Sequence, residues 1–434
     1  MVRTILADKL IDCEDLLGKF VDDSYYDILI DKDTDCYLPS NNLEDTDQVS
    51  EKRIAFKFRK NYFNEQEQKD AYDGLIGAAV STENRGLASG TKDGTNVGDG
   101  TRVWVTNYQQ EMMDELLKHE NASDFFLAED PIDVVNAKYP TEESRKKALG
   151  GGKNNVWVIY RIHEGFDFDV WLESIKRFDH KKRAEAVREI EKYISETTYG
   201  NPVDSGIAGW FDRYPRIPYG RATSYTRDNF DKFKMSFPFL KNLSKGFQNL
   251  LPKRHAAQQE AINKIDPKFV VPETVFTTVT VNKTFRTACH RDAGDFTDGL
   301  SNLLVLSNDG RYTGGYLVLP ELRIAINVRP GDLLLINNHE CIHGNTPIVC
   351  EEGSHRVSLV CYLREKMLEL GSYEYENTRY EYVESRRKNL DHPLQRKLWN
   401  GVSPGMWKEQ EWYDYLRSKL GEEGISEHNR LVES

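Results

Sequence analysis

His290 and Asp292 stand two apart in the run His290-Arg291-Asp292, so on an extended segment both side chains project from one face. An imidazole and a carboxylate placed that way can grip one metal ion at adjacent vertices. A third donor follows in His343-Gly-Asn-Thr-Pro347, with His339 as the alternative. His343 is preferred because it lies a short loop beyond the apolar run Leu333-Leu-Leu-Ile336 and precedes Pro347 in an H-x-x-x-P arrangement. Two imidazoles and one carboxylate form the facial donor set that holds Fe(II) and leaves positions open for a cosubstrate and O2. Arg356 and Ser358, again two apart, can grip one carboxylate, the guanidinium in bidentate fashion and the hydroxyl by a further hydrogen bond. That suits the distal carboxylate of 2-oxoglutarate. Arg286 is either a second carboxylate contact or a surface charge. The chemistry indicated is that of an iron-dependent dioxygenase.

Elements with a two-residue period must carry these groups. Val275–Val281, Leu303–Leu306, Tyr316–Leu319, Ile324–Val328, Leu333–Ile336 and Val357–Tyr362 are short β-rich runs separated by turns, with Gly314-Gly315 expected to form a hairpin. With the donor set, they indicate an α+β fold built on a double-stranded β-helix (jelly roll) with flanking helices and N- and C-terminal extensions. Upstream, Glu65–Ala79, Gln109–His119 and the amphipathic Phe168–Thr198 read as helices, with short strands at Val103–Thr106 and Val156–Tyr160. Glu374–Asn389 and Pro404–Leu420 read as helices near the C-terminus, the second capped by Ser403. The Gly-rich break at Ala148–Lys153 sets the expected boundaries: 1–150, 151–365 and 366–434. It lacks the spacing and the Ser/Thr of a phosphate-binding loop.

The six cysteines show no framework spacing and read as reduced thiols of a soluble, intracellular protein. Cys289 and Cys341 flank the donors but are expected as buried small residues. No apolar run is long enough to span a bilayer, and the acidic first twenty residues do not make a secretory signal. The net charge of −12 argues mildly against a surface coated by nucleic acid, although Arg213–Lys234 reverses sign locally and interleaves Tyr214, Tyr219 and Tyr225.

The sequence resembles the TET/JBP family of nucleic-acid base dioxygenases, especially its phage and algal members. The resemblance is carried by His290-Arg-Asp-Ala-Gly-Asp295, Gly299–Leu304, Tyr312-Thr-Gly-Gly-Tyr316, Val328–Leu335 and His343–Pro347, with thinner likeness at Asn84–Gly90, Arg221–Arg227 and Pro252–Gln258. It implies oxidation of the 5-methyl group of a pyrimidine in DNA, using Fe(II), 2-oxoglutarate and O2, by a domain within 151–365. It implies that Asp295 faces a flipped-out base and that Arg221, Tyr225 and Arg227 help hold the DNA. An ionised Asp295 would accept from the 4-amino group of 5-methylcytosine, favouring that base over thymine; animal TET proteins carry Asn there. An algal relative suggests ascorbate as an alternative cosubstrate. Competing readings are a dioxygenase of protein side chains or small molecules, and a non-catalytic jelly-roll module. The compartment would be the host cytoplasm for a viral protein or the nucleus for a eukaryotic one.

Overall fold

The computed structural model describes residues 2–39, 47–82, 85–90, 102–106, 157–161, 201–213, 217–388 and 409–433. Two compact units emerge: Met1–Lys92, Gly200–Asp212 and Gly220–Leu370 form one, and Asp93–Tyr199, Arg213–Tyr219 and Gly371–Ser434 the other. The helices expected at Gln109–His119 and Phe168–Thr198 lie outside the described residues.

In chain order the first unit begins with β1 (Arg3–Leu6), β2 (Ile28–Ile30), β3 (Thr34–Tyr37), β4 (Ile54–Arg59), α1 (Glu65–Leu75) and β5 (Val80–Thr82). Asn64 and Glu67 cap α1 reciprocally, each side chain meeting the other's backbone N–H. β6 (Arg102–Thr106) and β7 (Trp157–Arg161) pair with each other in the second unit. The first unit resumes with β8 (Val203–Phe211), β9 (Arg221–Ala222), α2 (Ser224–Asp228), α3 (Phe230–Met235), α4 (Phe237–Leu250) and α5 (Pro252–Ile262). It closes with β10 (Thr278–Lys283), β11 (Ser301–Ser307), β12 (Tyr312–Gly314), β13 (Leu317–Leu319), β14 (Ile324–Ile326), β15 (Leu333–Ile336), β16 (Gly344–Asn345), β17 (Ile348–Cys350) and β18 (Arg356–Tyr362).

The large sheet runs β1-β3-β4-β15-β11-β18-β10-β8-β5, with β9 on β8; the second runs β16-β13-β14-β2, and β12 pairs with β17. From β10 onward the chain passes back and forth between these sheets, which is the path of a double-stranded β-helix. Strand alternation explains the layering. On β10 and β18, Val279, Val281, Val357, Leu359 and Cys361 join the core shared with α4 and α5. Thr280, Asn282, Arg356, Ser358, Val360 and Tyr362 face the other way, into a cavity. Between the two sheets, Leu303, Val305, Leu334 and Ile336 pack with Leu317, Leu319, Ile324 and Ile326.

The described N-terminal strands belong to the sheets of the first unit. β4 pairs with β15 and β2 with β14, so N-terminal strands extend both sheets. The Gly314-Gly315 pair departs from expectation. It forms no hairpin turn but a kink between β12 and β13, both residues having positive φ (+68° and +69°). A Cβ on Gly314 would sit 1.9 Å from the Pro347 carbonyl oxygen, so only glycine lets the two broken strands approach. In the second unit, α6 (Tyr373–Lys388) and α7 (Glu409–Glu433, broken at Gly421) enclose Tyr375, Tyr382, Trp412 and Leu416.

Candidate metal centre and substrate cavity

His290 lies just before β11's approach loop and His343 just before β16, and the two are bridged by reciprocal backbone hydrogen bonds of 3.0 Å. Their rings stand 4.3 Å apart, centroid to centroid. Asp292 Oδ1 lies 3.2 Å from His290 Nε2 and 3.9 Å from His343 Nε2. Among the described residues this is the group of His, Cys, Asp and Glu side chains able to hold a metal, with donor atoms all within 4.8 Å.

The remaining atom of each donor is spoken for. His290 Nδ1 donates to the Ala288 carbonyl at 2.8 Å and His343 Nδ1 to the Cys341 carbonyl at 3.0 Å, which leaves both Nε2 lone pairs for a metal. Asp292 Oδ2 accepts from Asn338 Nδ2 at 2.9 Å, and Asp292 N donates to the Asn338 carbonyl. Arg291 Nε donates to the Glu340 carbonyl, while the Glu321 carboxylate accepts from both Arg291 and Ile342 N. The two donor-bearing segments are thus stitched together before any ion arrives.

The donors open into a cavity of about 420 Å³ that Arg356, Ser358 and Asp295 also line. Arg356 is 1% exposed, and its Nε has no hydrogen-bond partner among the described residues. Burial pulls its pKa below the usual guanidinium value. A Cβ on Gly315 would come within 2.9 Å of that Nε, so the second glycine of the kink makes room for the guanidinium. A buried donor without a partner is costly unless something fills the site. The donor chemistry fits a carboxylate there and a divalent metal at the triad.

Residues 207–365 match the model described as Tet_JBP, the oxygenase domain of the 2OGFeDO superfamily. The chain carries a Tet_JBP oxygenase domain. Among curated proteins it is 39% identical over 175 residues to the bifunctional helicase and thymine dioxygenase JBP2 of Leishmania infantum, covering 40% of this chain and 15% of that one. It is 35% identical over 176 residues to the thymine dioxygenase JBP1 of Leishmania braziliensis, covering 39% and 21%. The chain thus spans about a fifth or less of those relatives' length. A solved structure of NgTET1 in complex with 5mC DNA aligns at 20% identity and TM-score 0.33, over 44% of this chain and 72% of that one.

Within the Tet_JBP domain, charge is distributed unevenly. Burial opposes ionisation of Asp292, but the His290 hydrogen bond, both imidazoles and Asn338 hold it down at about 2. Burial and the neighbouring His290 push His343 down to about 4. Burial, reinforced by the charge of Asp292, pushes Asp295 up to about 8, although Ser301 donates to its Oδ2 and Arg364 lies near. Cys289, buried beside the triad, is pushed up to about 12 and packs as a neutral thiol. His339 stays outside the donor group.

Other expected contacts fall elsewhere. Arg286 donates to the Val21 and Asn345 carbonyls and lines a neighbouring recess, not the cavity of the triad. Arg221 donates to the Asp212 carbonyl and stacks on Phe211, Tyr225 donates to the Gly74 carbonyl, and Arg227 pairs with Asp228. None of these three lines the cavity, because folding of β9 and α2 onto β8 and α1 turns them to structural partners. Conversely, Arg85, Phe211, Tyr362 and Arg364 line it without having been singled out for it. Tyr362 shares the strand parity of Arg356 and Ser358, a signal that could have found it. No helix among the described residues is long and apolar enough to cross a membrane.

Proposed function

We propose that this protein oxidises the 5-methyl group of a pyrimidine in DNA, with Fe(II) held by His290, Asp292 and His343 and 2-oxoglutarate held by Arg356 and Ser358. The observation that carries the reading is that one cavity gathers these five side chains with Asp295. Such a centre couples decarboxylation of 2-oxoglutarate to succinate and CO2 with transfer of one oxygen atom of O2 into a substrate C–H bond, giving the hydroxymethyl product. The chain's own residues fix the arrangement. The backbone bonds to both Nδ1 atoms set the imidazole tautomers, and Asn338 leaves a single Asp292 oxygen facing the metal. Arg356, buried and without a carboxylate partner among the described residues, supplies a fixed cation for the cosubstrate.

Asp295 is the group proposed to read the base. The expectation of 5-methylcytosine assumes an ionised carboxylate, whereas burial, reinforced by the charge of Asp292, raises the Asp295 pKa and favours the neutral acid. A neutral acid both donates and accepts, so its O–H can meet the 4-oxo group of thymine and its carbonyl oxygen the 4-amino group of cytosine. What favours thymine over 5-methylcytosine in this reading is the name thymine dioxygenase carried by the curated relatives.

The test is competition between duplexes carrying thymine and 5-methylcytosine, with Fe(II) and 2-oxoglutarate, read by nucleoside mass spectrometry. Asp295→Leu, which removes both donor and acceptor, should change the ratio of the two products by roughly one to two decades, the cost of about 1–3 kcal/mol for a buried polar group left unpaired. Equal loss on both bases would remove Asp295 from base reading. Turnover of free nucleosides with none on DNA would overturn the DNA substrate, and full turnover with ascorbate alone would overturn 2-oxoglutarate. His343→Ala should abolish activity and His339→Ala should not; the reverse would mean that His339 is the distal ligand.

A further inference from the structure

Asn337 and Asn338 follow β15 as adjacent asparagines, both fully buried, yet their amides are used differently. Asn337 Nδ2 donates to Glu340 at 2.8 Å, within its own loop. Asn338 Nδ2 donates across the barrel mouth to Asp292 Oδ2 at 2.9 Å, while its carbonyl accepts from Asp292 N at 3.0 Å. One residue therefore fixes both the backbone and the side chain of the acidic donor. Rotation of the Asp292 carboxylate would break the side-chain bond and strand a buried amide. With Oδ2 so held, Oδ1 points to the two imidazoles, 3.2 and 3.9 Å from their Nε2 atoms.

We infer that Asn338 is a positioning residue for the metal: it holds one oxygen of Asp292 and so leaves the other for the ion. The inference rests on the reading of the triad as a metal site. What Asn338 adds is the link to Asp292.

The experiment titrates Mn(II) and Co(II) into the metal-free full-length protein, following affinity by calorimetry and the Co(II) visible spectrum for coordination geometry. Asn338→Ala and Asn338→Leu, the second keeping the side chain's branched shape, should weaken binding by about 10–100-fold and alter the Co(II) spectrum, as loss of an outer-shell partner does. Asn337→Ala is the matched control and should bind within about threefold of the natural protein, a range well short of that loss. Melting temperatures of the metal-free proteins show whether either variant has lost its fold. Natural affinity and spectrum in both Asn338 variants would overturn the inference, as would an equal loss in Asn337→Ala. Absence of binding by the natural protein would instead overturn the metal reading itself.

Discussion

Replacing Arg356 by methionine should raise the stability of the ligand-free protein while destroying its response to 2-oxoglutarate. Arg356 is 1% exposed, makes no ion pair among the described residues, and keeps an unpartnered Nε. A buried donor left unmade costs about 1–3 kcal/mol, and methionine fills similar space without that donor. Taking about 1–2 kcal/mol as recovered, the melting temperature should rise by about 2–8 °C for a unit of this size. Binding should move in the opposite sense. Loss of a charge-assisted, bidentate grip on a buried carboxylate costs about 3 kcal/mol, or roughly 150-fold in affinity. Differential scanning fluorimetry without ligand, and 2-oxoglutarate binding by calorimetry with Mn(II) present, measure the two effects. A structural arginine predicts the reverse: removing it would strand a buried carboxylate and cost about 3–5 kcal/mol. A fall in melting temperature with unchanged 2-oxoglutarate affinity would therefore refute the assignment.

Gly315→Ala should act on the same guanidinium from the other side. The new methyl would meet Arg356 Nε at 2.9 Å on a backbone with φ of +69°, so 2-oxoglutarate affinity should fall at least about tenfold, with stability reduced by about 1–2 kcal/mol; an unchanged affinity would place Arg356 away from the cosubstrate. In the second unit, His428 accepts from the Tyr375 hydroxyl at 2.7 Å, and burial with nearby Arg379 and Arg213 depresses it to about 4. A histidine depressed on folding stabilises fully above its ordinary pKa near 6.5 and loses that contribution as pH falls towards 4, here roughly 3 kcal/mol. His428→Gln should flatten this part of the pH–stability curve in thermal melts, and parallel curves would exclude His428 as the titrating group.

The site was more legible than its surroundings. The strand period of two places His290 with Asp292 and Arg356 with Ser358, and folding brings both pairs to one cavity, the second pair on β18. Asn338 escaped notice since nothing in Asn337-Asn338 distinguishes an amide serving its own loop from one crossing to another segment. For the Arg213–Lys234 stretch, counting charges does not reveal which partners the cations meet in the fold. Glu376, 163 residues away, meets Arg213, while the nearby Asp228 and Asp212 carbonyl meet Arg227 and Arg221. Among the early strands Arg53–Arg59 reads as strand-like, but the pairing of β4 with β15 and of β2 with β14 was hidden because those partners lie far along the chain.

Those early strands have a consequence for how the protein can be made and cut. Lys60 and Asn61 meet Asp332 across separations of 272 and 271 residues, so the N-terminal strands leave the ribosome long before their partners exist. Phe56 and Phe58, both fully buried in the finished protein, must wait without cover during synthesis. Closure of the sheets is then a late and slow event, exposed to misassembly until β15 is translated. A fragment trimmed to residues 207–365 would retain every proposed metal donor. It would also present Leu333–Ile336 as a bare apolar edge where β4 belongs, inviting association between copies. For this chain, the stretch that carries the chemistry is shorter than the stretch that can fold.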